Sequence, residues 1–154
     1  MAERSVVHAT FTIERDYPAA PARVFNAFAD PVAKAKWFGA PDSSDSSDSR
    51  ASMDFRVGGR EHSSGKVPDG PLYTFDALYQ DIVPNERIVY TYDMTIVGKR
   101  ISVSVATLEF RASGAGTRLK VTEMGAFLDG LDNAGQRETG TKDLLDKLAK
   151  SLGA

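Results

Sequence analysis

The chain has 154 residues, 42% hydrophobic and 26% charged, a composition that reads as one folded, soluble domain spanning 1–154, with length for a proper core and none for a second domain. A formal net charge of −2 does not imply the broad basic face that nucleic acid or anionic lipid would need, and no nucleic-acid partner is expected. The absence of cysteine excludes disulfide frameworks, thiolate nucleophiles and cysteine-based metal sites. Glu3, Arg4 and His8 interrupt the N-terminal residues, so no signal peptide is read there. No apolar run approaches the roughly 18 residues of a membrane span, and the expected location is the cytoplasm.

Val7, Ala9, Phe11 and Ile13 alternate with His8, Thr10 and Thr12, which predicts a strand with one apolar and one wet face. Tyr17-Pro18-Ala19-Ala20-Pro21 ends it, and Pro21 suits the first turn of a helix whose stripe is Val24, Phe25 and Phe28. Asp30-Pro31 repeats the start signal and predicts a second short helix ending near Gly39, after Trp37-Phe38. The Ser/Asp-rich stretch over 40–50 has too few apolar residues to offset ordering its backbone and is read as a flexible loop. Met53, Phe55 and Val57 then predict a strand that turns at Gly58-Gly59 into another from Arg60, with a further turn from Gly65 to Pro71.

Tyr73, Phe75, Ala77 and Tyr79 lead a longer strand to Val83, ended by Pro84-Asn85. Ile88, Tyr90, Tyr92 and Met94 mark the next, and Gly98-Lys99 turns it. Ile101, Val103 and Val105 begin another strand, whose Leu108 and Phe110 have the opposite parity, so a bulge or a change of buried face is expected between them. Gly114-Ala115-Gly116 turns into a last strand with Leu119 and Val121 on one face, and from Asn133 to Leu152 the period becomes helical. The fold class is therefore α+β: a strand, two short helices, about six more antiparallel strands and a long C-terminal helix covering the sheet.

The inward stripe of that helix is Ala134, Thr141, Leu145, Leu148 and Leu152, with Arg137 near its centre and Glu138 on its edge. Its first half is small or polar, while twelve of the fourteen aromatic residues lie between Phe11 and Tyr92. A pocket on the order of hundreds of Å³ is expected where the small half faces the sheet. Trp37, Phe75, Tyr90 and Tyr92 are its candidate walls; Glu123, sharing parity with Leu119 and Val121, would enter it and meet Arg137, and Thr141 would help orient a ligand's polar end. The competing reading is a frayed helix with no cavity behind it, Glu123 at a wet strand end and Arg137 reaching out to solvent.

Candidate general bases are Glu123, Glu138 and His62. No metal is expected, since His8 and His62 lack partners at ligand spacing and Asp42, Asp45 and Asp48 lack the pattern of a calcium loop. No cofactor is expected either: Gly114-Ala115-Gly116 precedes a strand and lacks a third glycine, and neither a nucleophile elbow nor a phosphate loop occurs.

The segments Tyr17–Pro31, Lys36-Trp37-Phe38-Gly39, Arg56-Val57-Gly58-Gly59, Ile82–Tyr90 and Gly116-Thr117-Arg118-Leu119 together resemble the homologues of the activator of heat-shock protein 90 ATPase. These lie within the SRPBCC superfamily of START, birch-pollen-allergen (Bet v 1-like) and polyketide-cyclase domains. The resemblance implies the helix-grip fold, a curved antiparallel sheet of about seven strands wrapped round the C-terminal helix with a cavity between. Members commonly carry Gly-Trp where this chain has Gly140-Thr141, so a small hydroxyl replaces a bulky pocket residue. The co-chaperone's separate N-terminal domain has no room here, so chaperone activation is not expected.

Three functions follow as expectations. The first is a binder of a small apolar or lipid-like ligand. The second is an enzyme of cyclase, dehydratase or hydrolase type using the same cavity. The third is a protein-interaction module, a reduced relative of the Hsp90 ATPase activator, presenting the Trp37-Phe38 end or the Ser/Asp loop. Pairing of sheet edges into a homodimer is compatible with all three.

Overall fold

A computed structural model describes residues 4–38, 50–66 and 70–153, without the side chains of Arg50 and Lys66. The loop expected over 40–50 lies outside the described residues except for the backbone of Arg50, which opens a strand. In chain order the elements are β1 (Val6–Tyr17), α1 (Pro21–Ala29), α2 (Pro31–Ala35), β2 (Arg50–Met53), β3 (Arg60–Lys66), β4 (Leu72–Val83), β5 (Arg87–Ile96), β6 (Lys99–Ser113), β7 (Gly116–Leu128) and α3 (Ala134–Ser151). The seven strands form one antiparallel sheet in the order β1-β7-β6-β5-β4-β3-β2. This is the helix-grip arrangement: a meander from β2 to β7, closed at its far edge by the first strand.

Local chemistry sets the ends of these elements. Asp30 caps α2 by accepting the Ala33 N–H at 3.0 Å, and Asn133 caps α3 by accepting the Gln136 N–H at 2.9 Å. Val97 and Gly98 both have positive φ, 49° and 77°, the conformation of a tight two-residue hairpin between β5 and β6. At Gly116 a Cβ would lie 2.2 Å from the Tyr17 carbonyl oxygen, so β7 and the end of β1 approach this closely only with glycine.

Four expectations require correction. Helix α2 ends at Ala35 rather than near Gly39, because Trp37 turns inward, donates from Nε1 to the Ala27 carbonyl at 3.0 Å and packs edge-on against Phe28. Strand β2 ends at Met53: the backbone then folds on itself through Arg56 N–H to Asp54 C=O and Gly59 N–H to Arg56 C=O, leaving Val57 exposed and Phe55 packed on Phe25 and Tyr79. Gly65 belongs to β3, facing Tyr73. In β6 the bulge is at the start of the strand, where Met94 pairs with Ser102 but Thr95 pairs with Arg100. The inner face beyond it is therefore Ser102, Ser104, Ala106, Leu108 and Phe110, and Val103 is exposed.

Among the described residues most buried apolar side chains fall into two clusters. The larger joins Ile13, Val24, Phe28, Trp37, Ile88, Leu108, Leu119 and Val121 to Leu145, Leu148 and Leu152 of α3; the smaller comprises Phe75, Ala77, Tyr92 and Ala106. Among the described residues no helix is long and apolar enough to cross a membrane. Leu148 is fully buried where α3 seals the larger cluster. Leu148→Ala is expected to lower unfolding stability by about 3 kcal/mol in urea denaturation; a loss below about 1 kcal/mol would contradict this seal.

Candidate functional site

Strand register places the inward side chains in rows across the sheet. One row runs Tyr79, Tyr90, Ala106 and Glu123 over β4, β5, β6 and β7; its neighbour runs Glu61, Ala77, Tyr92, Ser104 and Gly125 from β3 to β7. In both rows the β6 residue is small, and at Gly125 a Cβ would press on Ser104 Oγ and the Phe127 ring, both at 3.1 Å. The β5 tyrosines therefore face a shallow trough, and Tyr92 lies across it to reach Glu123.

Above the trough lies the first half of α3, where Gly140 and Thr141 add little volume. A cavity of about 400 Å³ occupies this space. Trp37, Phe75, Tyr90, Tyr92, Glu123, Arg137 and Thr141 all line it, together with Phe28, Phe38, Leu108, Val121 and Leu144. Its lining is mainly aromatic and aliphatic, as expected of a small-molecule site.

One polar network gathers at Glu123, which is only 5% exposed. The Tyr92 hydroxyl donates to Glu123 Oε1 and accepts from Arg137 Nη1 at 2.9 Å. Arg137 Nη2 donates to Ser102 Oγ and Asp132 Oδ2, both at 2.7 Å, and the guanidinium lies over the Tyr92 and Phe127 rings. The single proton of Thr141 Oγ is shared between the Arg137 carbonyl at 2.9 Å and Glu123 Oε2 at 3.2 Å. Burial raises the Glu123 pKa above its ordinary value, against the opposing pull of the Tyr92 hydrogen bond, the Arg137 charge and the Thr141 hydroxyl. Burial also raises the Tyr92 phenol, reinforced by the Glu123 charge.

A second network, absent from the sequence reading, involves Lys34. Its Nζ donates to Glu61 Oε1 at 2.7 Å, the Tyr79 hydroxyl donates to the same oxygen, and both charged side chains are nearly inaccessible. Lys34 also lines the cavity, 4.5 Å above the Phe38 ring. Burial lowers the Lys34 pKa, opposed by the charge and hydrogen bond of Glu61.

Two candidate bases lie away from this cavity. His62 is on the opposite face of β3, half-exposed, with Nδ1 2.6 Å from Asp76 Oδ1; strand alternation turns Glu61 and Ser63 inward and His62 outward. Glu138 pairs with Lys142 one turn along α3, at 3.1 Å, on the helix surface. Among the described residues no group of three or more His, Asp or Glu side chains is placed to hold a metal ion.

Residues 18–153 match the family model described as Activator of Hsp90 ATPase homolog 1-like protein. The chain belongs to that family. Two solved structures are similar along nearly the whole length. An uncharacterised protein from Rhizobium leguminosarum is 42% identical, with a TM-score of 0.90 and coverage of 98% of each chain. The Mll3558 protein from Rhizobium loti is 49% identical, with a TM-score of 0.86 over 96% of this chain and 99% of that one. DynU16, from the dynemicin biosynthetic locus, shares the fold at 20% identity and a TM-score of 0.68, over 94% of this chain and 47% of its own. No curated protein matches the chain.

For this family member the raised Glu123 pKa has a definite sign. A carboxyl group whose folded pKa exceeds its unfolded value contributes stability that is full below the unfolded pKa, 4.5, and is lost as pH rises through the folded value. Glu123→Gln removes that ionisation while retaining an oxygen that can accept from Tyr92. The variant is expected to gain stability relative to the parent as pH rises from about 4.5 to about 8. Urea midpoints of the two proteins across that range provide the check, and a difference that does not change with pH contradicts the placement.

Proposed function

We propose that the protein binds a small, largely apolar molecule between the sheet and the N-terminal half of α3, with the Glu123, Arg137 and Thr141 cluster orienting its polar end. The observation that carries this reading is the 400 Å³ cavity itself, walled mainly by apolar and aromatic side chains such as Phe28, Trp37, Phe75 and Tyr90, with the charged side chains in its wall already hydrogen-bonded. A void lined this way forfeits contact energy unless something fills it. Membership of the Hsp90-ATPase-activator-like family supports the reading.

A second reading, an enzyme of cyclase, dehydratase or hydrolase type, draws on one observation: Glu123 is a buried carboxyl in the cavity wall whose pKa burial raises toward the range useful for proton transfer. Glu123→Gln separates the readings, since a binder retains a neutral ligand whereas an enzyme loses turnover by at least about a hundredfold. The interaction module drew on Trp37-Phe38, but Trp37 is 5% exposed and Phe38 lines the cavity, so this end presents no indole to a partner.

Gly140 allows the cavity to be tested without disturbing the core. No atom lies within 4 Å of where its Cβ would be, and it is one turn from Leu144 on the cavity side of α3. Gly140→Trp is expected to preserve or raise thermal stability, because glycine costs a helix interior about 1 kcal/mol, and to weaken binding of apolar ligands at least about tenfold in calorimetric titration. Undiminished binding in a folded Gly140→Trp protein would contradict this location.

A further inference from the structure

The cavity wall contains two cations, and the protein's own carboxylates engage both. Lys34 is paired with Glu61, and Arg137 with Asp132 while also donating to Tyr92 beside Glu123. Among the described residues at the cavity and bonded to it, Lys34 and Arg137 therefore face Glu61, Asp132 and Glu123. With Glu123 ionised the group carries one excess negative charge; with Glu123 protonated it is neutral. Neither state leaves a positive charge to receive an anionic ligand, and a desolvated charge without a partner costs several kcal/mol.

Tyr90 provides what the ion pairs do not. It lies in the row between Tyr79 and Ala106, lines the cavity, and its hydroxyl has no hydrogen-bond partner among the described residues. Burial and the nearby charges of Glu123 and Glu61 raise its pKa well above the ordinary phenol value, so the O–H remains a donor. The neighbouring Tyr79 and Tyr92 hydroxyls already donate to Glu61 and Glu123. Lys34 has further N–H groups beyond the one given to Glu61.

Resting on the binding-protein reading, we infer that the cavity selects an uncharged ligand bearing an oxygen acceptor, such as a ketone, quinone or ester, which takes a hydrogen bond from Tyr90, and that it discriminates against carboxylates, including fatty acids. The apolar body of the ligand would lie among Phe28, Trp37, Phe38, Phe75 and Leu144. Tyr90 is then the specificity-determining residue, acting in the same row as Glu123 and its Arg137 and Thr141 neighbours, while the two ion-paired networks leave a carboxylate no unpaired cation.

Three probes of one skeleton test this: 2-acetylnaphthalene, 2-naphthoate and unsubstituted naphthalene, titrated calorimetrically at neutral pH against the parent and Tyr90→Phe, each variant first checked for an unchanged thermal transition. The ketone is expected to bind at least about tenfold more tightly than the carboxylate. Tyr90→Phe is expected to weaken the ketone about fivefold while leaving naphthalene unchanged. Naphthoate binding as tightly as the ketone, or a ketone-to-naphthalene ratio that Tyr90→Phe does not alter, would overturn the inference and leave the binding-protein reading standing. Failure of all three probes to bind would overturn that reading and this inference with it.

Discussion

A carboxylate at the centre of a sheet's inner face is tolerated only where its charge is answered, and Glu123 determines much of what surrounds it. Its oxygens accept hydrogen bonds from Tyr92 and Thr141, and Tyr92 is in turn held by Arg137, itself fixed by Asp132 and Ser102. Each of these groups lines the cavity or lies buried beside it. Satisfying the carboxylate therefore hollows the interface: Arg137 and Thr141 put polar side chains on the cavity face of α3, and Ser102, Ser104 and Ala106 leave space on β6 for the Tyr92 ring to cross. Removing Tyr92, which bonds both Glu123 and Arg137, or Asp132, the carboxylate paired with Arg137, would leave a buried charge less well answered, which makes the network stricter than its individual hydrogen bonds suggest.

The same division appears in the packing. Leu145, Leu148 and Leu152 close the end of the sheet that carries Ile88, Leu108, Leu119 and Val121, whereas the first turns of α3 cover the tyrosine rows without filling them. The long helix thus has two functions along its length. Its C-terminal half stabilises the fold, and its N-terminal half, capped by Asn133, roofs a cavity. The Lys34–Glu61–Tyr79 network supports the wall on the β3 and β4 side, tying the short α2 helix to the sheet through a buried ion pair. Its energetic value lies in fixing that position, since a buried pair rarely adds much net stability over apolar packing.

The element order was readable in the sequence because its signals are local. Odd-numbered apolar residues mark β1, proline at a first helical turn marks α1 and α2, and glycine turns mark the hairpins. The placement of Glu123 followed from its parity with Leu119 and Val121, and that of Arg137 from the helical stripe. What escaped depended on register or distance. The β6 bulge displaced the buried face by one residue at Ile101, so Val103 was read as inward when it faces out. Lys34 and Glu61 are 27 residues apart, and the inward parity of Glu61 follows only from its pairing with Ala77 on β4. The face of His62 was not legible for the same reason, since the backbone between Met53 and Arg60 is not a regular strand and hides the alternation. The pairing of β1 with β7, at opposite ends of the sheet's sequence, has no local signature at all.

The central claim is that the half-filled space between α3 and the sheet accepts a small molecule. Backbone and methyl NMR of the intact protein, titrated with an uncharged aromatic ketone, tests it most directly. The account predicts saturable shifts at Met94, Tyr92, Thr141 and Leu144 around the cavity, with Val103 and Met124 on the outer face of the sheet unmoved. Shifts confined to Val103 and Met124, or a spectrum unchanged at saturating ketone, would contradict it.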